Sequence, residues 1–161
     1  MLISILMGSK SDWPIMEHAS QLLNQFNIPH ESRILSAHRT PDALQKYIKE
    51  AETRGISIFI AGAGGAAHLP GVIASQTVMP VIGVPIPSQS LNGMDSLFSI
   101  VQMPSGIPVA TMAIGKAGAT NAALFAISIL ACRHSHYREA LQRYRESMAT
   151  KLLEQSDPIG A

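Results

Sequence analysis

An apolar run, Ile56-Ser-Ile-Phe-Ile60, passes into Ala61-Gly-Ala-Gly-Gly-Ala-Ala-His-Leu-Pro70 and then into Gly71-Val-Ile-Ala74. The first segment has the β-branched and aromatic content of a buried strand, and Pro70 suits the first turn of a helix. A strand joined to a helix through such a short connection is the unit that, repeated along a chain, gives an α/β architecture. The turn holds three glycines and four alanines, with no bulky side chain before Leu69. A connection needs only one or two glycines. The longer run lets backbone approach a ligand closely and leaves N–H groups free to bind it. This stretch therefore reads as the floor of a site, with His68 as its only side chain able to transfer a proton.

The rest of the chain repeats the strand–helix unit. Leu2–Met7 predicts a buried strand, Gly8-Ser-Lys-Ser-Asp12 a turn, and Pro14 the first turn of a helix whose stripe is Ile15, Met16, Ala19, Leu22, Leu23 and Phe26. Pro29 ends that helix, and His30–Leu35 gives a second strand. After the loop Ser36-Ala-His-Arg-Thr-Pro41, the residues Leu44, Tyr47, Ile48 and Ala51 stripe a helix closing at Gly55. A fourth strand is expected at Val81–Val84, a loop from Pro85 to Asn92, a helix over Gly93–Gln102 and a fifth strand over Val109–Ile114. Ala117–Cys132 is apolar on nearly all sides, which predicts burial, including between subunits. A charged helix over about residues 136–155 follows. The expected fold is one domain, residues 1–161: a three-layer, doubly wound parallel sheet of flavodoxin-like type with an extra C-terminal helix packing on a neighbouring subunit.

In such sheets ligands bind beyond the carboxyl ends of the strands. That rule gathers the loops Gly8–Asp12, Ser36–Pro41 and Gly62–Leu69 on one edge. The first offers Ser9, Ser11 and backbone N–H groups at a helix N-terminus, a setting that stabilises phosphate. Ser11 or Asp12 acting as a plain helix cap explains it equally, and Asp12 also suits sugar hydroxyls. The second joins Ser36, His38, Arg39 and Thr40. Arg39 has the planar fork for a phosphate, while Thr40 as a cap for the next helix leaves the His38–Arg39 pair unexplained. His38 and His68 both fall in strand-end loops and could face one ligand, whereas His18, His30, His134 and His136 suit surface or structural roles. Imidazole both accepts and donates protons near neutrality.

Only 14% of the 161 residues are charged, against roughly 25% in an ordinary soluble domain. A monomer of that composition exposes much apolar surface, which predicts a homo-oligomer. A net charge of +1, without basic clusters interleaved with aromatics, argues against nucleic acid as a partner. No apolar stretch is long enough to span a bilayer. The lone Cys132, expected as a buried thiol, makes no disulfide framework and suits a reducing, cytoplasmic compartment. No His/Cys/Asp/Glu grouping has metal-ligand spacing, so no metal is expected. Gly62-Ala-Gly-Gly-Ala-Ala67 formally satisfies a dinucleotide fingerprint, but the acid expected about 20 residues on is absent. Gly115-Lys116 lacks the upstream glycine of a P-loop.

Five motifs together carry a resemblance over nearly the whole chain: Met7-Gly-Ser-Lys-Ser-Asp-Trp13, Ser36-Ala-His-Arg-Thr-Pro41, Ala61-Gly-Ala-Gly-Gly-Ala-Ala-His-Leu-Pro-Gly71, Asp95-Ser-Leu-Phe-Ser-Ile-Val-Gln-Met-Pro104 and Ala113-Ile-Gly-Lys-Ala-Gly118. In this order they resemble the N5-carboxyaminoimidazole ribonucleotide mutases of purine biosynthesis. The resemblance implies a homo-octamer that moves a carboxylate from the exocyclic nitrogen of an aminoimidazole ribonucleotide to ring carbon four, without cofactor or metal. It implies ribonucleotide binding by Ser9, Ser11, Asp12, Ser36 and Arg39, with the turn at Ala63, Gly64, Gly65 and His68, and proton transfer by His38. It also implies a functional link to an ATP-dependent enzyme that carboxylates aminoimidazole ribonucleotide. Trp13 resembles the bacterial mutase branch rather than the animal branch that fixes CO2 directly. Pro87–Ser90 is the least matching stretch.

Overall fold

The computed structural model describes residues 2–155. They form two compact units, one through Ala126 and one from Ile127 onward. The first contains strands β1 (Ile3–Met7), β2 (His30–Ile34), β3 (Ile58–Gly64), β4 (Val81–Ile86) and β5 (Ala110–Thr111). All pair in parallel, in the order β2-β1-β3-β4-β5. This is the doubly wound, flavodoxin-like sheet expected from the alternation of strands and helices.

Helix α1 (Trp13–Gln25) packs on one face of the sheet. Helices α2 (Pro41–Thr53), α3 (Leu69–Ala74) and α4 (Met94–Val101) cover the other. The α2 stripe Leu44, Tyr47, Ile48 and Ala51 is buried as its spacing requires, in a cluster with Leu6, Phe59, Ala61 and Ile73. Within this packing Ser4 of β1 meets Tyr47 at 2.6 Å, and the Tyr47 hydroxyl donates to Glu31 of β2 at 2.7 Å. Arg54 donates to the same Glu31 oxygen at 2.6 Å. A buried serine is thus satisfied by a chain of bonds that ends on a charge pair at the sheet edge.

Several boundaries differ from the sequence expectation, each for a local reason. Helix α1 ends before Pro29, because Asn27 adopts a left-handed φ of 54°. Strand β3 runs four residues beyond Ile60, through Ala61–Gly64. Those small residues are strand positions under a closely packed helix: a Cβ on Gly62 would strike the Met16 sulfur of α1. Strand β4 includes Pro85 and Ile86. Pro85 faces the side where β5 has already ended; its carbonyl accepts from Gly115 N at 2.8 Å, so its missing N–H costs no ladder bond. Strand β5 is only two residues long.

Helix α5 (Lys116–Ala131) crosses from the first unit into the second, which also holds α6 (Ser135–Glu154). Ala119, Ala122, Ala123 and Ala126 of α5 are fully buried, but Phe125 is 42% exposed, so burial is not all-round in a single chain. Cys132 lies beyond the end of α5 and is exposed rather than buried, its thiol donating to the Ser128 carbonyl. Among the described residues, no helix is long and apolar enough to cross a membrane.

Candidate active site

The strand order reverses between β1 and β3, and the loops leaving β1, β2, β3 and β4 meet there around a cleft of about 440 Å³. Ser9 and Asp12 line it from the first loop, and Ser36, His38 and Arg39 from the second. Ala63, Gly64, Gly65 and His68 line it from the third. Ser11 does not: its hydroxyl donates to Ser9 Oγ at 2.8 Å.

The first loop is a capping box over a single 3-10 turn, Lys10–Asp12. Ser9 Oγ accepts from Ser11 N at 3.3 Å, while Ser9 N–H donates to Asp12 Oδ2 at 3.0 Å. The capping residue is therefore Ser9, and neither Ser11 nor Asp12 caps α1 through its side chain. Burial pushes the Asp12 carboxyl above its usual range, against the opposing pull of the Ser9 and Gly8 N–H groups and the Arg39 charge.

The second loop is folded on Ser36. Its Oγ accepts from Arg39 N at 3.2 Å and Arg39 Nε at 3.3 Å, and its N–H donates to Thr40 Oγ1 at 2.9 Å. Thr40 is thus occupied in closing the loop and makes no side-chain cap to α2, which removes the plain capping alternative for this loop. Arg39 Nη2 reaches across to the Gly8 carbonyl at 2.6 Å, so one guanidinium joins the two loops that carry the hydroxyls and the carboxylate.

The third loop turns at Gly65, whose φ of +66° lies in the left-handed region where a side chain is strained. It delivers His68 to the start of α3, where His68 Nδ1 stands 2.8 Å from His38 Nε2. The rings meet edge to face, 4.9 Å between centroids. The two loop histidines that the sequence left separate are one hydrogen-bonded unit on the cleft wall.

Sequence reasoning missed the fourth side. Ile86, Pro87 and Ser88, at and beyond the end of β4, also line the cleft. Ser88 donates to Asp95 at 2.6 Å and accepts from Leu91 N and Gly93 N, which pins the loop to the start of α4. The hydrogen bond from Ser88, ahead of smaller effects, holds the Asp95 carboxyl below its usual range. Prolines and serines in this loop signalled irregular backbone and nothing about a site wall. Among the described residues, no three His, Cys, Asp or Glu side chains are grouped to hold a metal ion.

A family model described as AIR carboxylase matches residues 2–151. This chain belongs to the AIR carboxylase family. It is 55% identical over 160 residues to the N5-carboxyaminoimidazole ribonucleotide mutase of Pseudomonas aeruginosa, covering 99% of this chain and 98% of that one. It is 54% identical over 158 residues to the protein of the same name from Bacillus subtilis, covering 98% of each. Among solved structures, Treponema denticola PurE superposes with a TM-score of 0.89 at 32% identity, covering 99% of both chains. The family members that the chain resembles at this level are named as mutases, and the superposition covers every element around the cleft.

Proposed function

We propose that this protein is an N5-carboxyaminoimidazole ribonucleotide mutase, converting that compound to 4-carboxy-5-aminoimidazole ribonucleotide in purine biosynthesis. The observation that carries the assignment within the family is the His38–His68 unit, set between an anion-ready loop pair and a glycine-rich wall in one cleft. Ser9 Oγ, the Asp12 carboxylate and the Arg39 guanidinium hold the phosphate and ribose; Ser36 orients Arg39, and Ser11 acts through Ser9. The aminoimidazole ring then lies against Ala63–Gly65.

The chemistry follows from that pose. The exocyclic nitrogen takes a proton from His38 as its bond to the carboxylate breaks, and CO2 is released. The electron-rich ring carbon four attacks CO2 held against the glycine wall, and the new carbon–carbon bond leaves a proton on that carbon. Deprotonated His38 removes it, which restores both the aromatic ring and the catalyst. Proton balance closes on a single histidine. Such acid–base help contributes on the order of 10²–10⁴-fold, and a site lined by Gly and Ala keeps water from the released CO2. His68 holds the His38 ring and its tautomer through their shared hydrogen bond.

The low charge content and the exposed stripe Met94, Phe98 and Val101 on α4 support a homo-oligomer, which we assign as an octamer. Met148 and Leu152, one turn apart and exposed on α6, fit packing of that helix on a neighbouring subunit of a single catalytic unit. The substrate is an N-carboxylated amine, so an ATP-dependent carboxylating enzyme supplies it. The protein works in the cytoplasm with no cofactor. Purified protein given N5-carboxyaminoimidazole ribonucleotide without ATP or metal should form the carbon-carboxylated isomer. Turnover only from aminoimidazole ribonucleotide plus bicarbonate would assign it instead to direct carboxylation.

A further inference from the structure

Only two polar side chains are fully buried among the described residues, Ser4 and Ser96. Ser4 is explained by its bond to Tyr47. Ser96 sits in the first turn of α4, where a serine hydroxyl commonly bonds to backbone close by in the chain. Here it does not. Its Oγ donates to the Ile86 carbonyl at 2.7 Å and accepts from Gly65 N at 2.9 Å. Gly65 is the first residue beyond β3 and Ile86 the last of β4, and both line the cleft. One buried hydroxyl therefore ties the start of the glycine-rich turn to the end of the neighbouring strand, where the last paired residues are Gly64 and Ile86. One turn further along α4, Ser99 Oγ makes only a long contact of 3.4 Å to the Gly65 carbonyl, which accepts from Ala67 N at 2.8 Å. Asp95 fixes the Ser96 backbone by accepting its N–H at 2.9 Å, and the same Oδ1 accepts from Ser88.

We propose that Ser96 is the positioning residue for carboxylate transfer, holding Gly65 and Ile86 at the spacing that keeps released CO2 against ring carbon four. This rests on the mutase reading of the site. Ser96 acts through the two backbone groups and touches no reacting atom. No atom lies within 4 Å of a Cβ position at Gly65, so packing around that position does not hold the turn. Its N–H is held by Ser96, and its carbonyl accepts from Ala67 N. Phosphate and ribose are gripped elsewhere, by the Gly8–Asp12 loop and Arg39. Slack at Gly65 therefore displaces the migrating group and leaves the handle bound, and misplacement of about 1 Å costs roughly 10²-fold in rate.

The test is steady-state kinetics of Ser96→Ala beside wild type and Ser99→Ala, with N5-carboxyaminoimidazole ribonucleotide as substrate and each melting temperature measured. Ser96→Ala should lower kcat by roughly 10- to 100-fold with KM within about threefold, at temperatures where the variant is fully folded. Ser99→Ala, which removes only the 3.4 Å contact, should stay within about threefold of wild type in kcat. A Ser96→Ala protein that melts earlier but keeps wild-type kcat would reduce Ser96 to a fold-stabilising residue and overturn the proposal. If Ser96→Ala does not fold, Ser96→Cys carries the test: similar volume with weak hydrogen bonding should give the same kcat loss, and full kcat would overturn it. Absence of turnover in wild type would instead overturn the mutase reading, which separates the two failures.

Discussion

His38 Nε2 and His68 Nδ1 lie 2.8 Å apart, and only one of the two facing nitrogens can carry the proton between them. That contact makes the tautomer of each ring dependent on the other. A histidine that gives a proton to nitrogen and later takes one from carbon needs a fixed ring and a defined tautomer, and in the proposed mechanism both come from His68. His38→Asn keeps a side chain of comparable reach without an exchangeable ring proton. Turnover should fall at least about 10²-fold, while the dissociation constant for the ribonucleotide stays within a few-fold. Near-normal turnover would remove His38 from the mechanism.

Arg39 has two tasks: it ties the first loop to the second through the Gly8 carbonyl, and its charge acts on the Asp12 carboxyl. Arg39→Ala should weaken ribonucleotide binding by about 10- to 100-fold, in line with loss of a charge-assisted contact and its loop brace. Titration calorimetry would read the change. An unchanged dissociation constant would sink the phosphate role.

Gly62 lies under the Met16 sulfur, with no room for a Cβ. Gly62→Ala should destabilise the fold by about 1–3 kcal/mol, the usual cost of overpacking a close-packed core. Pairing it with Met16→Ala should recover part of that loss, giving a coupling energy of about 0.5 kcal/mol or more in a double-mutant cycle. Strict additivity would mean that the two residues do not meet.

Burial alone would raise the Glu31 carboxyl, but hydrogen bonds from Tyr47 and Arg54 and the charges of Arg54 and Arg33 outweigh it and bring it below the ordinary 4.5. Burial, with the Glu31 carboxylate adding to it, pushes the Tyr47 hydroxyl up to about 12, so Tyr47 stays a donor. A carboxyl with a lower pKa in the folded than in the unfolded chain stabilises the fold above the unfolded value. That contribution is lost as pH falls through the folded value. Denaturant midpoints should therefore decline as pH drops from about 5.5 downward, and Glu31→Gln should flatten the decline. An identical pH slope in the variant would contradict the network.

Much of this was legible in the sequence. The stripe Leu44, Tyr47, Ile48 and Ala51 announced α2, and the alternation of units announced the parallel sheet and the edge where three loops meet. What stayed hidden depends on distance in the chain. Ala61–Gly64 read as turn because small residues suit turns, and only the helix above, at Met16, shows that they are strand positions kept bare for packing. His38 and His68 are 30 residues apart, so their direct contact has no local sign. Ser96 is a short hydroxyl in a largely apolar helix, and its two partners lie 10 and 31 residues away. Pro85 marked a loop by composition, yet it continues β4 because the neighbouring strand stops short.

The central claim is that the carboxylate that leaves nitrogen is the one that arrives on carbon. Substrate labelled with carbon-13 in its carboxylate, turned over in excess unlabelled bicarbonate, tests this most directly. The account predicts that the product's carboxylate keeps the label, because CO2 is recaptured inside the cleft. A product carrying the unlabelled carbon of the medium would contradict it.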